Sequence, residues 1–288
     1  MRFTKMTSLG NDFVFVDGIH QNIHDPNRLA KFVSNRNYGV GADGLVLICP
    51  SQNADFRMRI FNPDGTEAQI CGNAIRSVGK FVYHYGITRK TRMRIETIAG
   101  VKVVTLDVKS GKVVNITANF GSPILEAAKA PVITDLEQFI DQPVEVLDRT
   151  FHVTAMSLGN PHMVAFVEDV DHFDLEKYGP AMEHHPLYPE RANCEFAEIL
   201  APDRIRFRVW ERSVGETLAC GTGSCASVVA GVLTGRCNRS VDVEQKGGVI
   251  HIEWDECTGD LFMTGPSTVV FDGEFVEGNP YEENAPWD

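Results

Sequence analysis

The chain has 288 residues, 43% of them hydrophobic and 23% charged, which is typical of a folded globular protein of one or two domains. Its 39 acidic and 27 basic residues give a formal net charge of −12, which argues against nucleic acid or an anionic membrane as a partner. There is no run of 18 apolar residues to form a transmembrane helix, and seven scattered cysteines predict a reducing cytoplasm rather than a disulfide scaffold.

The first half of the chain predicts a series of short strands and one helix. An N-terminal strand ends in a Gly-Asn turn, and residues 55–61 alternate as expected for a strand with one buried face. Apolar residues recur at helical spacing over 74–85. The remaining predicted elements are a turn at 62–65 and two strands, 93–107 and 112–120, joined as a hairpin at Gly111-Lys112.

The second half predicts the same elements in the same order. A Gly-Asn turn again follows the first strand, and residues 204–210 alternate like 55–61. Residues 223–234 are small and apolar on all sides, which predicts a fully buried helix. The other predicted elements are a turn at 212–215, a hairpin of strands 241–254 and 260–271, and a crossover at 121–150 between the halves.

These parallels amount to an internal repeat. Ser8-Leu9-Gly10-Asn11 recurs as Ser157-Leu158-Gly159-Asn160, an offset of 149 that also places Cys71 on Cys220, and later blocks match at 148. We therefore expect an α+β fold of two pseudo-twofold-related lobes, each a curved, mainly antiparallel sheet wrapped around a central helix, with the active site in the cleft between them. The expected boundaries are 1–120 for the N-terminal lobe, completed by 267–288, and 121–266 for the C-terminal lobe. The acidic tail from Gly278 is expected to be a loosely held terminus.

Cys71 and Cys220 are the candidate catalytic residues. Each follows a strand and a turn and precedes a glycine and a helix, so each thiol is expected at a helix N-terminus, where N–H groups favour thiolate. Two bases from two lobes suit inversion at a carbon acid, in which one removes a proton and the other delivers one. Two buried apolar cysteines are the alternative interpretation.

The other cysteines lack this symmetry. No zinc-type spacing surrounds them, since Cys220 and Cys225 are separated by four residues and no histidine pair lies nearby, so no metal site is predicted. The five that we interpret as packing residues are Cys49, Cys194, Cys225, Cys237 and Cys257.

Six blocks together resemble the diaminopimelate epimerase family, over the N-terminus to about residue 275. They are Ser8 to Phe13, Phe61 to Gly65, Cys71 to Ala74, Gly159 to His162, Trp210 to Thr217 and Ala219 to Gly223. The resemblance implies a cofactor-independent, homodimeric isomerase that interconverts LL- and meso-2,6-diaminopimelate, in lysine and peptidoglycan precursor biosynthesis.

The resemblance also implies the roles of site residues. Cys71 and Cys220 would be the acid/base pair, and His162 and Glu211 would tune their thiols. Substrate-binding residues would be Asn11, Asn62, Gly72, Asn73, Asn160, Asn193, Glu211, Arg212, Gly221 and Thr222. The substrate has two ammonium and two carboxylate groups. Asparagines suit it because they offer both donors and acceptors without charge, and the Arg212 guanidinium can bind the distal carboxylate with two hydrogen bonds.

One position departs from the family pattern. Many relatives have Gln after the Gly-x-Asp of the early loop, whereas this chain has Gly44, which puts one substrate contact in doubt.

Two other functions remain open at this point. A racemase or epimerase of proline or hydroxyproline type would share the thiols but leave Arg212 unexplained, and a redox dithiol protein is disfavoured by the absence of C-x-x-C.

Overall fold

A computed structural model describes residues 1–275 of the chain. The chain divides into two compact units. The first unit contains Met1–Ala118 together with residues 265–275, and the second contains Asn119–Thr264. The tail predicted from Gly278, and the part of segment 267–288 beyond residue 275, lie outside the described residues.

Eight strands and two helices form the chain up to the second unit. They are β1 (Arg2–Ser8), β2 (Asn11–Asp17), α1 (Pro26–Ser34), β3 (Leu45–Cys49), β4 (Phe56–Phe61), β5 (Glu67–Ala68), α2 (Gly72–His84), β6 (Arg92–Thr97), β7 (Gly100–Lys109) and β8 (Lys112–Gly121), whose last residues enter the second unit.

The second unit has the same order of elements, after one additional strand. Its elements are β9 (Gln142–Val146), β10 (Arg149–Ser157), β11 (Pro161–Phe166), α3 (Leu175–Glu183), β12 (Asn193–Ala201), β13 (Arg204–Glu211), β14 (Gly215–Glu216), α4 (Gly221–Leu233), β15 (Ser240–Gln245), β16 (Gly248–Trp254) and β17 (Leu261–Gly265). The last strand, β18 (Thr268–Glu274), belongs to the first unit.

The strands of each unit pair in the same way. In the first unit β18, β1 and β2 are antiparallel neighbours, β2–β3 and β4–β6 are parallel, and β3–β4 and β6–β7 are antiparallel. In the second unit β9, β10 and β11 are antiparallel, β11–β12 and β13–β15 are parallel, and β12–β13 and β15–β16 are antiparallel.

The register of these pairs also repeats. Leu45 lies opposite Phe61, and Cys194 lies opposite Trp210, which is the same pair moved by 149 residues. Ile205 lies opposite Val243 where Phe56 lies opposite Ile95, so the offset has become 148 on the later strand, as in the sequence. The repeat is therefore structural, and the expected α+β class is confirmed.

One helix in each unit is buried along most of its length. Helix α2 packs on β1, β4 and β7, and helix α4 packs on strands β10 to β13 and on β16. Glycines allow this close approach, because a Cβ added at Gly79 would lie 2.7 Å from Val104 Cγ1, and one at Gly231 would lie 2.5 Å from Cys237 Sγ.

Three strands predicted as continuous are each broken in two. Residues 93–107 form the β6–β7 hairpin, and 241–254 form the β15–β16 hairpin. Gly100 and Gly248 adopt positive φ values of 93° and 132° at these turns, which glycine tolerates best. The predicted strand 260–271 becomes β17 and β18, interrupted by Pro266, which has no N–H to donate.

Other elements were not predicted. The crossover region 121–150 contains β9, which pairs with β10. Helices α1 and α3 have Asp25 and Asp174 as N-caps, whose side chains accept hydrogen bonds from the N–H groups of Arg28 and Lys177. Among the described residues, no helix is long and apolar enough to cross a membrane.

Candidate active site

Cys71 is the N-cap of α2, which begins at Gly72. Its backbone is extended, with φ −136° and ψ 125°, so the chain turns into the helix at this residue. The N–H of Ile75 donates to the Cys71 carbonyl at 3.0 Å, which leaves the N–H groups of Gly72 and Asn73 before the first helical bond. The predicted position of the thiol at a helix start is confirmed.

Asn11 is the hydrogen-bonding partner of this thiol. Cys71 Sγ donates to Asn11 Oδ1 at 3.4 Å, and the amide of Asn73 donates to the same oxygen at 3.3 Å. Asn11 Nδ2 in turn donates to Asp43 Oδ2 at 2.8 Å. Because Asp43 accepts only, it fixes which end of the Asn11 amide faces the thiol.

Arg76 supports this group from inside the unit. Its side chain is completely buried one turn into α2 and donates to the Gly72 carbonyl at 3.1 Å, Ser8 Oγ at 2.8 Å and Asn73 Oδ1 at 2.7 Å. These bonds hold the start of the helix and the Asn73 amide in place. Arg76 and Asp43 were not among the predicted site residues.

Cys220 is the N-cap of α4, in the position equivalent to Cys71. Its backbone is again extended, with φ −126° and ψ 110°, and its Sγ accepts a hydrogen bond from the N–H of Gly223 at 3.3 Å. Gln245 Oε1 accepts from the Cys220 N–H at 2.8 Å, and Thr222 Oγ1 lies 3.6 Å from the sulfur. The thiol is buried, with 7% of the residue exposed.

The surroundings of Cys220 raise the pKa of its thiol, contrary to the expected depression. Burial has the largest effect, and the Glu211 and Glu195 carboxylates add to it, while hydrogen bonds from Thr222 and the Gly223 N–H act in the opposite direction. The helix start therefore stabilises the thiolate, but desolvation and two negative charges outweigh it. The expected depression of the thiol pKa is therefore wrong for Cys220.

His162 connects two polar residues beneath α4. Its Nδ1 lies 2.8 Å from Glu195 Oε1, and its Nε2 lies 3.1 Å from Asn160 Oδ1. His162 and Glu195 side chains are both fully buried, and Asn160 is half-buried. Asn160 therefore has the position in this unit that Asn11 has in the first unit, and its amide is held by an imidazole.

Asn193 fixes the loop that carries the predicted Glu211-Arg212 pair. Its Oδ1 accepts from the Arg212 N–H at 2.9 Å, and its Nδ2 donates to the Pro161 carbonyl at 3.1 Å. Glu211 accepts from Thr217 Oγ1 at 2.5 Å, and the Arg212 guanidinium donates to the Glu190 carbonyl at 3.3 Å. Asn193 thus acts on the loop in this structure, and both charged side chains remain partly exposed.

Asn62 is the predicted site residue with the most exposed position. It begins the turn before β5, where its Nδ2 donates to Thr66 Oγ1 at 3.0 Å. Gly221 is buried and Thr222 is partly exposed, and the helical bonds of α4 begin only with the N–H of Ser224. Because the Gly223 N–H donates to Cys220 Sγ, two backbone donors, those of Gly221 and Thr222, remain at the start of α4.

The departure at Gly44 has a steric explanation. A Cβ at this position would lie 2.4 Å from the Phe61 carbonyl oxygen and 3.0 Å from Phe13 Cε1. Gly44 is also the residue equivalent to Asn193 at an offset of 149. The first unit therefore packs an aromatic ring and a backbone where the second unit places a polar side chain.

No group of three or more His, Cys, Asp or Glu residues within 1–275 is arranged to hold a metal ion. All seven cysteines are free. Four of the five that we interpreted as packing residues are buried or partly buried, but Cys257 is exposed, so that interpretation is wrong for Cys257.

Solved structures with the same fold include proteins that share little sequence identity with this chain. A phenazine biosynthesis protein of the PhzF family from Bacillus anthracis aligns with a TM-score of 0.69 at 18% identity, covering 96% of this chain and 99% of that one. A probable proline racemase from Agrobacterium radiobacter aligns with a TM-score of 0.70 at 14% identity, covering 98% and 94%. The fold therefore places the chain in this structural class of two-unit α+β proteins.

The sequence comparisons identify the family within that class. The family described as "Diaminopimelate epimerase" matches residues 3–125 and 154–270. Proteins of that name from Desulfovibrio desulfuricans and Acetivibrio thermocellus are 50% and 52% identical, over 96% and 95% of this chain and 98% of each relative. The chain belongs to the diaminopimelate epimerase family and is an isomerase, which confirms the resemblance seen in its motifs.

Proposed function

We propose that this chain interconverts LL- and meso-2,6-diaminopimelate, using Cys71 and Cys220 as its acid/base pair. The observation that carries the proposal is that both cysteines are N-caps of buried helices at equivalent positions of the two repeats. The proposal assigns both thiols to one α-carbon. One, as thiolate, takes the α-proton, and the other, as thiol, gives its proton to the opposite face.

The backbone at the two helix starts supports the binding of a carboxylate. The N–H groups of Gly72, Asn73, Gly221 and Thr222 precede the first helical hydrogen bonds, and such groups bind anions. Negative charge spreads onto the carboxylate when the α-proton leaves. One donor in a comparable oxyanion site is worth about 3 kcal/mol, so these donors would lower the barrier substantially.

We assign the remaining predicted residues to orientation of the substrate. Asn11 and Asn160 are proposed to contact the groups around the α-carbon. Glu211 would bind an ammonium group and Arg212 would bind the distal carboxylate. Asn193 would hold the loop that carries both side chains. Asn62 would bind from the exposed turn before β5. His162 and Glu211 would tune the thiols.

We also propose that the protein is a cytoplasmic homodimer, on the basis of the motif resemblance and the cysteine pattern. Sedimentation would test the oligomeric state, and cell fractionation would test the location.

The first test measures proton transfer at each thiol. We expect Cys71→Ala and Cys220→Ala each to lower epimerisation by at least about 10³-fold, since each removes one of two required proton carriers. Solvent deuterium incorporation at the α-carbon, followed by mass spectrometry, reports the reaction directly.

Cys257→Ala is the matched control, because it removes an exposed thiol and should leave the rate unchanged. Proline serves as the second substrate and should not exchange. Turnover in either alanine variant at more than about 10% of the wild-type rate would contradict the two-thiol assignment.

A further inference from the structure

Glu195 is a buried carboxylate that no part of the proposed mechanism uses. It is the third residue of β12, and its side chain is completely buried. Its Oε1 lies 2.8 Å from His162 Nδ1, and its Oε2 accepts no hydrogen bond from any residue within 1–275. A buried carboxylate is costly to maintain, so its presence beside a candidate active site calls for a reason.

The carboxylate is also pressed against the start of α4. A Cβ added at Gly223 would lie 2.8 Å from Glu195 Oε1 and 3.3 Å from Cys220 Cβ. The Gly223 N–H is the group that donates to Cys220 Sγ. Glu195 therefore lies next to Gly223, whose N–H contacts the thiol. On its other side Glu195 contacts His162, which in turn contacts Asn160.

Hydrogen-bond chemistry restricts how this chain of groups is protonated. Asn160 Oδ1 can only accept, so His162 Nε2 must carry a proton. The other ring nitrogen, Nδ1, makes its hydrogen bond with Glu195 Oε1. The ring cannot rotate without losing both contacts, so Glu195 fixes the ring and the ring fixes the Asn160 amide.

We propose that Glu195 is a positioning residue for the second thiol, holding His162 and Asn160 beside the start of α4 and placing a negative charge next to Cys220. The proposal rests on the assignment of Cys220 to proton transfer. The first repeat has no carboxylate or imidazole at the equivalent positions, because positions 13 and 46, which correspond to 162 and 195, are Phe13 and Val46, and there Asp43 holds the Asn11 amide directly. The charge therefore acts on one thiol and distinguishes it from the other.

Glu195→Gln separates charge from position. Glutamine has the same shape and can still bond His162 Nδ1, but it carries no charge. Since the Glu195 carboxylate raises the pKa of Cys220, its removal should increase the thiolate fraction. Glu211, the other carboxylate that acts on Cys220, is unchanged in this variant.

The quantity to measure is the alkylation ratio, which is the rate of Cys220 alkylation by iodoacetamide at pH 7.5 divided by that of Cys71. We expect this ratio to be at least about threefold higher in Glu195→Gln than in the wild type. The two rates are read from their separate peptides in the same sample, so Cys71 is an internal control. We further expect kcat to fall by about tenfold or more while KM changes by less than about twofold.

Glu195→Asp makes the complementary change. It keeps the charge but is one methylene too short for the 2.8 Å contact with His162, so the hold on Asn160 is lost. We expect its alkylation ratio to stay within about twofold of the wild type while KM rises by about fivefold or more. Glu198→Gln, three residues further along β12, is the matched control and should change neither quantity.

Three results would overturn the proposal. The first is that Glu195→Gln keeps the wild-type alkylation ratio and kcat, and the second is that its alkylation rate rises equally at both cysteines. The third is that Glu195→Asp keeps the wild-type KM. If Glu195→Gln does not fold, the KM of Glu195→Asp decides. The alkylation ratio needs no turnover, so a wild-type protein without epimerase activity would refute the proposed function and leave this measurement intact.

Discussion

Cys220 is a thiol that favours its protonated form in the free chain and yet accepts a backbone hydrogen bond at its sulfur. Burial and the Glu211 and Glu195 carboxylates raise its pKa, while the Gly223 N–H, 3.3 Å away, stabilises any thiolate that forms. Such a residue is suited to give up a proton during turnover rather than to hold a permanent charge. An ammonium group of a bound substrate would offset the two carboxylates and ease ionisation.

The raised pKa of Cys220 predicts a loss of stability at alkaline pH. In the unfolded chain this thiol ionises near its usual pKa of about 8.5, whereas in the folded chain it stays protonated to higher pH. Its contribution is therefore complete below pH 8.5 and declines as the pH rises, by up to about 1.4 kcal/mol per pH unit.

Urea unfolding between pH 8 and 10 would measure this effect. Cys220→Ala should show a shallower decline of the free energy of unfolding than the wild type. Cys194→Ala is a useful comparison, because burial also raises the pKa of that thiol, so it should flatten the decline as well. Cys257→Ala, at an exposed position, should reproduce the wild-type slope, and a wild-type slope in Cys220→Ala would contradict the assignment.

The sequence reveals some site residues and conceals others for a physical reason. Cys71 and Cys220, like Asn11 and Asn160, stand in repeated blocks next to turns, so their equivalence is visible without coordinates. Glu195 does not, because the equivalent position in the first repeat is Val46 and its burial in β12 depends on how the strand packs. Arg76 and Asp43 are similarly hidden, since their roles depend on contacts that are distant along the chain.

At the scale of elements, the two buried helices depend on small residues where they meet the sheet. Helix α2 has glycine at position 79 against Val104 and Leu106, and α4 has glycine at 231 against Cys237. The cost of glycine in a helix, about 1 kcal/mol relative to alanine, is offset by the closer packing that it allows. The helix starts, and hence the two thiols, are held by this packing.

Gly79→Ala tests the packing of α2. The new Cβ would lie 2.7 Å from Val104 Cγ1 and 3.3 Å from Leu106 Cδ2, so the overpacking should exceed the gain in helix propensity. We expect the free energy of unfolding to fall by about 1 to 2 kcal/mol, measured in urea.

Val104→Ala provides the control for this change, because it removes the nearest clashing atom. Gly79→Ala should cost at least about 1 kcal/mol less in the Val104→Ala background than in the wild type. An equal cost in both backgrounds would show that the loss does not come from this contact.

A helix or strand was predictable where one apolar pattern continued along its whole length. It was not predictable where a single residue ended it. The alternating strands β4 and β13 and helix α2 follow from periodicity, and helix α4 follows from its continuous run of small apolar residues. The breaks at Gly100 and Gly248 do not, because apolar alternation resumes after each turn and hides it. Helix α1 has only three buried apolar residues, Leu29, Ala30 and Val33, so its amphipathic pattern is short, although Asp25-Pro26 is a recognisable helix start.

At the scale of the whole molecule, chemistry without a cofactor is the expectation that remains to be tested. The motifs imply it, and the sequence offers no zinc-type ligand spacing. We expect treatment with EDTA and hydroxylamine to leave the epimerisation rate within about twofold of the untreated protein. A loss of activity that added zinc or pyridoxal phosphate restores would contradict this expectation, and dialysis without either reagent is the control.

The repeated register has an evolutionary consequence. In an assembly of identical subunits, a substitution appears in every copy at once, so two equivalent thiols would always share the same neighbours. Here the two copies are joined in one polypeptide and encoded separately, so each can change alone. Phe13 and Val46 in one copy, and His162 and Glu195 in the other, record such a divergence. Two repeats in one polypeptide thus allow the surroundings of one thiol to change without imposing the same change on the other.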